Sequence, residues 1–356
     1  MARRLIAYTD GTTFGGAEQS LGNLLEFLDG EIEVLVAGVD RRVVETVAGR
    51  RPRAATCVLP PVSHKRDVAP FLAHLRAVRR FRPDVFHANM RSSMACQYGI
   101  LAALLTPGVR VVAVEQSPIP VAGGLQRRLK HLLSRRLTAH VAVGRRSARA
   151  VEELAGLPAG SVRTIYNGVP EIEVEPLPAP FPPPVIGAVG RFSREKGLDV
   201  LVRALPLLPG TSALLVGDGP ERAPLERLAR GLGVADRLAI TGWTRDARAH
   251  VASLDVLAVP SRFEGFPLVI PEGMLAGLPT VASDVGSVAE AVADGKTGLL
   301  VPPDDPEALA GALRTLLADA ETRRAMGTRA REVARTRFTA PVMATAFEAL
   351  YAEVAG

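Results

Sequence analysis

The chain has 356 residues, of which 47% are hydrophobic and 22% charged, and this composition is that of a globular protein long enough for two domains. Two cysteines, Cys57 and Cys96, are too few for a disulfide framework or a four-cysteine zinc site, and the net charge is +6. No apolar run reaches the roughly 18 residues of a membrane-spanning helix, and the first residues lack a secretory signal, so we expect a cytoplasmic protein.

Short apolar runs alternate with longer amphipathic stretches along the chain. The runs are rich in Val, Ile and Ala and are bounded by Gly, Pro or Asp, which is typical of buried parallel strands. They are residues 5–8, 33–39, 84–88, 109–115 and 140–143, then 185–190, 212–217, 238–241, 255–260 and 279–283. Helix-length segments separate them, so the pattern predicts an α/β fold with a doubly wound parallel sheet in each half.

A proline-rich segment separates the two halves. Residues 167–184 contain seven prolines, and proline fixes φ and supplies no hydrogen-bond donor. We therefore expect an N-terminal domain over residues 1–170, an extended linker over 171–184 and a C-terminal domain over 185–336. The remaining residues, 337–356, are expected to form a helix that packs back on the N-terminal domain.

A basic loop follows the first strand of the second half. In VGRFSREKG (189–197), Gly190 leaves room for a close approach of the backbone, and Arg191 and Lys196 place two cations beside a helix N-terminus. Free N–H groups, the helix dipole and fixed positive charge together favour an anion such as a diphosphate. On its own, the same pattern also describes an ordinary loop with solvated charges.

Two glutamates lie eight residues apart in a later segment, residues 260–284. Glu264 precedes a tight turn, and Glu272 falls in the first turn of a predicted helix, where a carboxylate can bind a ribose diol. Either glutamate alone is explained by surface exposure or by the helix dipole. Combined with the preceding basic loop, the pair indicates a nucleotide site.

These motifs resemble the retaining nucleotide-sugar glycosyltransferases of family 4, which have the GT-B fold of two facing Rossmann-like domains with a cleft between them. The resemblance covers nearly the whole chain. Besides the two motifs above, it rests on FGGAEQS (14–20), DVFHAN (84–89), YNGV (166–169), VGDGP (216–220) and AEAVADGKTGLLVPPDDPEAL (289–309).

The resemblance implies roles for individual residues in binding a UDP- or GDP-linked hexose. Arg191 and Lys196 would hold the diphosphate, Glu264 the hydroxyls of the transferred sugar, and Glu272 the ribose. The glycines after the first strand would admit the donor phosphate and sugar, and a backbone cradle would complete the phosphate site. These glycines are Gly15 and Gly16, and the cradle residues are Gly265, Phe266, Pro267 and Leu268.

Catalytic groups of the first half are less defined. Many relatives carry a histidine where Gln116 stands in this sequence, so no catalytic histidine is carried over to that position. The preceding Glu115 is a candidate for positioning the acceptor or assisting as a base. His87 is either a core histidine or a member of the site.

Metals and cofactors are not expected. The sequence has no D-x-D triplet, so Arg191 and Lys196 would stabilise the leaving diphosphate in place of a metal. Two alternatives share the fold: a nucleotide-sugar 2-epimerase and a non-catalytic nucleotide-sugar-binding protein. A dinucleotide dehydrogenase is disfavoured because neither half has a G-x-G-x-x-G after its first strand.

Positive charge is concentrated in the first half. Residues 1–170 contain 24 Lys and Arg against 13 Asp and Glu, including the clusters at 64–66 and 76–82. A basic half attracts anions, so we expect an anionic or lipid-linked acceptor and peripheral association with the inner membrane face. Nucleic acid is disfavoured because only 4% of residues are aromatic and no nucleic-acid motif is present.

A basic helix over residues 123–140 has two interpretations. Its leucines are predicted to form a packed stripe, with the basic residues, Lys130 among them, on the other side. The basic side is then either a solvated face or a surface for anionic lipid or a phosphorylated acceptor.

Overall fold

The computed structural model describes residues 3–62, 64, 67–121 and 123–356. The chain divides into two compact units: unit 1 is Met1–Pro170 together with Ala340–Gly356, and unit 2 is Glu171–Thr339. The proline-rich residues 171–184 contain no helix or strand. Lys65 and Arg66 of the basic cluster at 64–66 lie outside the described residues.

Unit 1 contains a parallel sheet of seven strands in the order β3-β2-β1-β4-β5-β6-β7. The strands are β1 (Arg4–Thr9), β2 (Glu33–Gly38), β3 (Ala55–Val58), β4 (Val85–Met90), β5 (Arg110–Glu115), β6 (Ala139–Ala142) and β7 (Arg163–Thr164). Five of these strands were predicted. The sequence analysis missed β3, which is largely exposed and so lacks a buried apolar run, and β7, which has only two residues.

Helices flank this sheet. They are α1 (Gly16–Phe27), α2 (Arg41–Ala48), α3 (Val68–Phe81), α4 (Gln97–Leu104), α5 (Gly124–Ser134) and α6 (Arg145–Ala155). The core of unit 1 includes Ile6, Phe86 and Ile100, from β1, β4 and α4.

Unit 2 contains a second parallel sheet, of six strands in the order β10-β9-β8-β11-β12-β13. The strands are β8 (Val185–Val189), β9 (Ser212–Val216), β10 (Leu238–Ile240), β11 (Val256–Val259), β12 (Thr280–Ser283) and β13 (Gly298–Val301). The order reverses between β8 and β11, and such switch points are where open α/β sheets bind ligands. The predicted α/β fold with two doubly wound parallel sheets is confirmed.

Seven further helices belong to unit 2, and its core includes Ile186, Phe192 and Leu201. The helices are α7 (Leu198–Ala204), α8 (Arg222–Gly231), α9 (Ala247–Ala252), α10 (Val269–Leu275), α11 (Val288–Ala291), α12 (Pro306–Ala318) and α13 (Ala320–Arg337).

Helix α14 (Ala340–Ala355) belongs to unit 1, where it packs against α1. The Ala340 N–H donates to the Val169 carbonyl at 2.9 Å. Further along the helix, Glu348 Oε1 accepts from the Asp29 N–H at 2.7 Å, and Tyr351 Oη lies 2.6 Å from His87 Nδ1. The helix is therefore attached to unit 1 along its length.

Helix α5 departs from the prediction at three leucines and one lysine, while its arginines are exposed as predicted. Leu125, Leu129 and Leu132, predicted to pack inward, are 70%, 40% and 60% exposed. Lys130, predicted on the exposed basic side, is buried and donates from Nζ to Glu115 Oε2 at 2.6 Å. The buried carboxylate at the end of β5 requires a partner, and this requirement fixes the rotation of the helix.

Candidate functional site

The two predicted motifs of unit 2 meet at the switch point of its sheet. The basic loop follows β8, and the first glutamate segment follows β11, the neighbouring strand. Both therefore lie at the carboxyl ends of adjacent parallel strands. The Arg262 N–H donates to the Glu195 carbonyl at 2.8 Å, so the backbones of the two loops are in direct contact.

Lys196 and Glu264 form an ion pair at this point. Lys196 Nζ lies 2.7 Å from Glu264 Oε1, and Ser261 Oγ donates to the same oxygen at 2.7 Å. The carboxylate side chain is only 9% exposed, and that of the lysine is 28% exposed. Among the residues that the structure describes, Glu264 Oε2 accepts no hydrogen bond, and it is not among the atoms shut off from solvent. Glu264 is thus held in place through one oxygen and presents the other.

Arg191 lies in the same basic loop. Its side chain is exposed and forms no ion pair with any described residue. The neighbouring Gly190 has φ 149°, in the region that favours glycine. The loop therefore presents an unpaired guanidinium a few residues before the Lys196 ammonium, as a diphosphate site requires.

Two glycines of the VGDGP motif pack closely against the backbone of this loop, a role that the sequence analysis did not assign. Gly217 has φ 132°, and a Cβ at this position would lie 2.0 Å from the Gly190 carbonyl oxygen. At Gly219 a Cβ would lie 2.4 Å from the Phe192 carbonyl oxygen. Any side chain at either position would displace the basic loop.

Arg262 also holds this region in place, although it is not among the predicted site residues. Its Nη1 and Nη2 donate to Asp199 at 2.7 and 2.8 Å, and Nη1 also donates to the Arg194 carbonyl at 2.8 Å. Burial would raise the pKa of Asp199, but the hydrogen bonds from Arg262 and Arg203 lower it to about 2. The carboxylate is therefore ionised at neutral pH, and its ion pair with Arg262 forms a clamp that joins the two loops.

Glu272 lies in the first turn of α10, as predicted. Its Oε1 accepts from Arg248 Nε at 3.2 Å, and its side chain is 11% exposed. Arg248 belongs to α9 and was not among the predicted residues. The paired carboxylate is oriented beside the turn that would receive the nucleotide.

The predicted backbone cradle lies between the two glutamates and is buried. Gly265, Phe266, Pro267 and Leu268 all belong to it. Because Pro267 has no N–H, only the other three residues have a backbone N–H that can donate to a phosphate. The cradle is supported from the loop between β12 and α11, where the Ser287 N–H donates to the Gly265 carbonyl at 3.0 Å. A Cβ at Gly286, which has φ 51°, would lie 1.9 Å from the Glu264 carbonyl oxygen, so glycine is required there.

In unit 1, Gly15 lies immediately before α1, and Gly16 is the first residue of that helix. The Gly15 N–H donates to Glu18 Oε2 at 3.1 Å, and Glu18 is buried, which raises its pKa. A Cβ at Gly16 would meet nothing within 4 Å in the structure. Unit 1 itself therefore does not require a glycine there, and the space above it is open to a ligand.

His87 is corrected from a candidate catalytic group to a structural one. Its side chain is buried and contacts Tyr351 of α14, and its ring packs on Phe347 with centroids 5.3 Å apart. Burial lowers the pKa of His87 to about 3, so the imidazole is neutral. This histidine lies in the interior and attaches α14 to the sheet.

Glu115 is corrected in the same way. It is completely buried, with Lys130 Nζ at 2.6 Å and His140 Nε2 at 3.1 Å from Oε2. Burial would raise the pKa of Glu115, but Lys130 and His140 outweigh burial and lower it to about 2. A buried carboxylate that binds protons so weakly is a poor general base and cannot reach an acceptor.

Gln116 takes part in a buried amide network. Its Nε2 donates to Asn89 Oδ1 at 3.0 Å, and its Oε1 accepts from Asn167 Nδ2 at 2.9 Å. Ser20 of α1 donates to Asn167 Oδ1 at 2.6 Å. Gln116 therefore links the ends of β4 and β5, through Asn167 and Ser20, to α1.

Two absences apply to the described residues. No three of their His, Cys, Asp or Glu side chains are grouped to hold a metal ion. No helix within the same residues combines the length and apolar character needed to cross a membrane.

Family models match both units. The model described as Glycosyltransferase Family 4 matches residues 14–171, and the model described as Glycosyl transferases group 1 matches residues 183–319. The two matches include the glycine loop of unit 1 and all the candidate residues of unit 2.

Curated relatives align with parts of the chain. The lipopolysaccharide core biosynthesis glycosyltransferase LpsE of Rhizobium meliloti is 34% identical over 49% of this chain and 52% of its own length. A GDP-mannose-dependent alpha-(1-6)-phosphatidylinositol monomannoside mannosyltransferase of Mycolicibacterium smegmatis is 39% identical over 40% of this chain and 41% of its own. The chain thus spans about half or less of the length of these relatives.

A solved structure matches the fold. The crystal structure of Anabaena HepE in complex with UDP-glucose superposes with a TM-score of 0.86 and 22% identity, covering 99% of this chain and 100% of that one. At this level of identity the match establishes a common fold of two parallel-sheet units.

Proposed function

This chain belongs to the family 4, group 1 glycosyltransferases with the GT-B fold, and on that premise we propose that it transfers a hexose-type sugar from a nucleotide diphosphate sugar to an acceptor hydroxyl. The observation that carries the proposal is the Lys196–Glu264 pair at the switch point of unit 2. The pair brings together a cation that would bind the diphosphate and an oriented carboxylate that would bind the sugar.

The leaving diphosphate is stabilised by charge. As the bond from the sugar to the diphosphate breaks, negative charge grows on the phosphate oxygens. Arg191 and Lys196, with the N–H groups of Gly265, Phe266 and Leu268, meet that charge. The Arg262–Asp199 clamp keeps the two loops in place, so little reorganisation is needed during the reaction.

Glu264 and Glu272 bind the two ends of the donor. The accessible Oε2 of Glu264 accepts from hydroxyls of the transferred sugar, while its other oxygen stays on Lys196 and Ser261. Glu272 accepts from the ribose. Transfer proceeds with retention of the anomeric configuration by attack on the face from which the diphosphate leaves. In this proposal Glu264 acts as a ligand of the sugar and not as a nucleophile, and no covalent glycosyl intermediate forms.

The nucleotide is uridine or guanosine diphosphate in this proposal. Support comes from the UDP-glucose in the HepE crystal structure and from the GDP-mannose dependence of the mycobacterial relative. The acceptor is anionic or lipid-linked, and the chain works in the cytoplasm, peripherally on the inner membrane face. The charge of residues 1–170 supports this part of the proposal.

A donor screen followed by product analysis tests the proposal. UDP-, GDP-, ADP- and TDP-sugars are compared by thermal shift, where a ligand at 100 times its Kd adds about 2.7 kcal/mol of stability. With the stabilising donor, sugar release or transfer is measured by NMR, which also gives the anomeric configuration. Activity is expected to persist in EDTA, because Arg191 and Lys196 take the role of a metal.

Other outcomes identify the alternatives. Release of an inverted 2-epimer would indicate a nucleotide-sugar 2-epimerase, and donor binding without turnover would indicate a binding protein. Strict dependence on Mn²⁺ would contradict the role given to Arg191 and Lys196.

A further inference from the structure

Helix α5 exposes a stripe of leucines. Leu125, Leu129 and Leu132 are spaced i, i+4 and i+7, which places them on one face, and they are 70%, 40% and 60% exposed. Single exposed leucines are common on protein surfaces. Three on one helical face form a continuous apolar strip, which marks an interaction surface.

The buried face of the helix maintains this exposure. Lys130 and Ser134 lie about half a turn away from the leucines and are buried. Lys130 is bound to Glu115, a fully buried carboxylate that would lose its cation if the helix turned to bury the leucines. Breaking a buried ion pair is strongly unfavourable, so the outward direction of the leucines is fixed by the fold.

Positive charge borders the leucine stripe. Arg128, Arg135 and Arg136 are exposed and form no ion pair within the described part of the chain. From Gln116 to Val151 the sequence contains no Asp or Glu. Leucines on the outer face with flanking arginines and no acidic residues are the features of a helix that lies in a membrane interface.

We propose that the outer face of α5 docks on an anionic bilayer, with Leu125, Leu129 and Leu132 inserted below the headgroups and the flanking arginines on anionic lipid. The docking surface itself is inferred from α5 alone. Its purpose, which is to bring the chain to a lipid-linked acceptor, rests on the proposed function. A second copy of the chain fits the face poorly, because paired α5 helices would bring like charges together. A nucleic acid bound to the arginines would leave the three leucines exposed to water, so it fits the face poorly.

Co-sedimentation of the full chain with vesicles tests the surface. Phosphatidylglycerol–phosphatidylcholine vesicles are compared with phosphatidylcholine alone. The triple variant Leu125→Gln, Leu129→Gln, Leu132→Gln is expected to bind the anionic vesicles at least about tenfold more weakly, because three apolar side chains no longer leave water. The matched control changes three exposed leucines elsewhere, at positions 105, 207 and 232, and should bind like the parent.

A second variant tests the charge. Replacing Arg128, Arg135 and Arg136 with Gln is expected to reduce binding to anionic vesicles and to flatten its dependence on salt, because the Debye length falls from about 10 Å at 0.1 M to about 3 Å at 1 M. The control replaces the exposed Arg227, Arg230 and Arg324 of unit 2 with Gln. This control should retain the parent's binding and salt dependence.

Fluorescence reports insertion directly. Trp243 is the only tryptophan in the sequence, so Leu129→Trp in a Trp243→Phe background places the only indole on α5. A blue shift on anionic vesicles is expected. No shift, or equal binding by the leucine variant and the parent, would overturn the proposal. So would concentration-dependent self-association that the leucine variant loses without any vesicle binding.

Calorimetry with UDP and GDP separates this inference from the proposed function. The α5 variants should keep the parent's nucleotide affinity, because none of the changed residues belongs to the candidate donor site. Loss of vesicle binding with intact nucleotide binding is the expected pattern for the leucine variant. A parent chain that binds vesicles but no nucleotide would contradict the proposed function and leave the docking surface intact.

Discussion

Arg191 and Lys196 carry the same charge but differ in their surroundings. Arg191 is exposed and pairs with no described residue, whereas Lys196 also holds Glu264. Removing the arginine therefore removes a charge alone. Removing the lysine also leaves a nearly buried carboxylate with Ser261 as its remaining partner. The two substitutions should have different effects on stability.

Arg191→Ala is expected to lower kcat at saturating donor by about 10²-fold or more, since its charge meets the leaving group as it develops. The free energy of unfolding should change by less than about 0.5 kcal/mol. Lys196→Ala should lower both kcat and stability. Steady-state kinetics and urea unfolding measure the two effects, with Lys296→Ala, an exposed lysine of unit 2, as the control. Near-parental kcat in Arg191→Ala would show that the diphosphate lies elsewhere.

Glu272→Ala is expected to weaken binding of the nucleoside diphosphate by about 1.5–3 kcal/mol, because the ribose loses a charged acceptor. The substitution also removes the hydrogen bond from Arg248 Nε to Glu272. Arg248→Ala is therefore the companion variant, and it should weaken binding less, since the carboxylate remains. Calorimetry with the bare diphosphate gives both values. Unchanged affinity in Glu272→Ala would remove this residue from the site.

At the scale of elements, alternating apolar runs predicted most of the strands, and with them the site. Parallel strands bring their carboxyl ends to one edge, so the loops after β8 and β11 had to lie together. Periodicity did not give the rotation of α5, because a leucine stripe indicates one face of a helix without showing which face is buried. The buried Glu115 decides it, through a partner fifteen residues away on another element.

His87 illustrates the same limit. The sequence placed it on a buried strand, but its partner Tyr351 is 264 residues further along the chain. No local pattern connects two such positions. The Arg262–Asp199 clamp, 63 residues apart, was missed for the same reason.

The attachment of α14 should depend on pH. The pKa of His87 is about 3 in the folded chain, below its ordinary value of 6.5, so the unfolded chain binds the proton more tightly. The stabilisation from neutral His87 is therefore complete above pH 6.5 and is lost as the pH falls towards 3. Over this range the free energy of unfolding should fall by at most about 1.4 kcal/mol per pH unit.

Urea unfolding at several pH values between 7.5 and 4 tests this expectation. His87→Phe should reduce the slope of stability against pH. Phe347→Leu alters the same contact without a titratable group, so it should lower stability equally at every pH. His74 and His140 also have lowered pKa values and contribute to the slope that remains. An identical slope in His87→Phe and the parent would contradict the assignment.

At the scale of the whole molecule, the chain leaves unit 1 after Pro170, forms unit 2 and returns to unit 1 at Ala340. A chain truncated after Thr339 would lack α14 and would expose the groups of unit 1 that this helix covers, including His87. We expect limited proteolysis to degrade unit 1 of the truncated chain while unit 2 stays protected. A synthetic peptide of residues 340–356 should restore the protection. Equal resistance of both units without the peptide would contradict this expectation.

The return of the chain at Ala340 also sets an order for folding during synthesis. Domains generally fold as units while the ribosome is still translating, beginning with the first to emerge. Here the first residues to be made belong to a unit whose closing helix is translated only after all of unit 2. On the ribosome, unit 2 can therefore finish folding before unit 1, and nascent unit 1 presents an uncovered apolar surface to chaperones until residues 340–356 emerge.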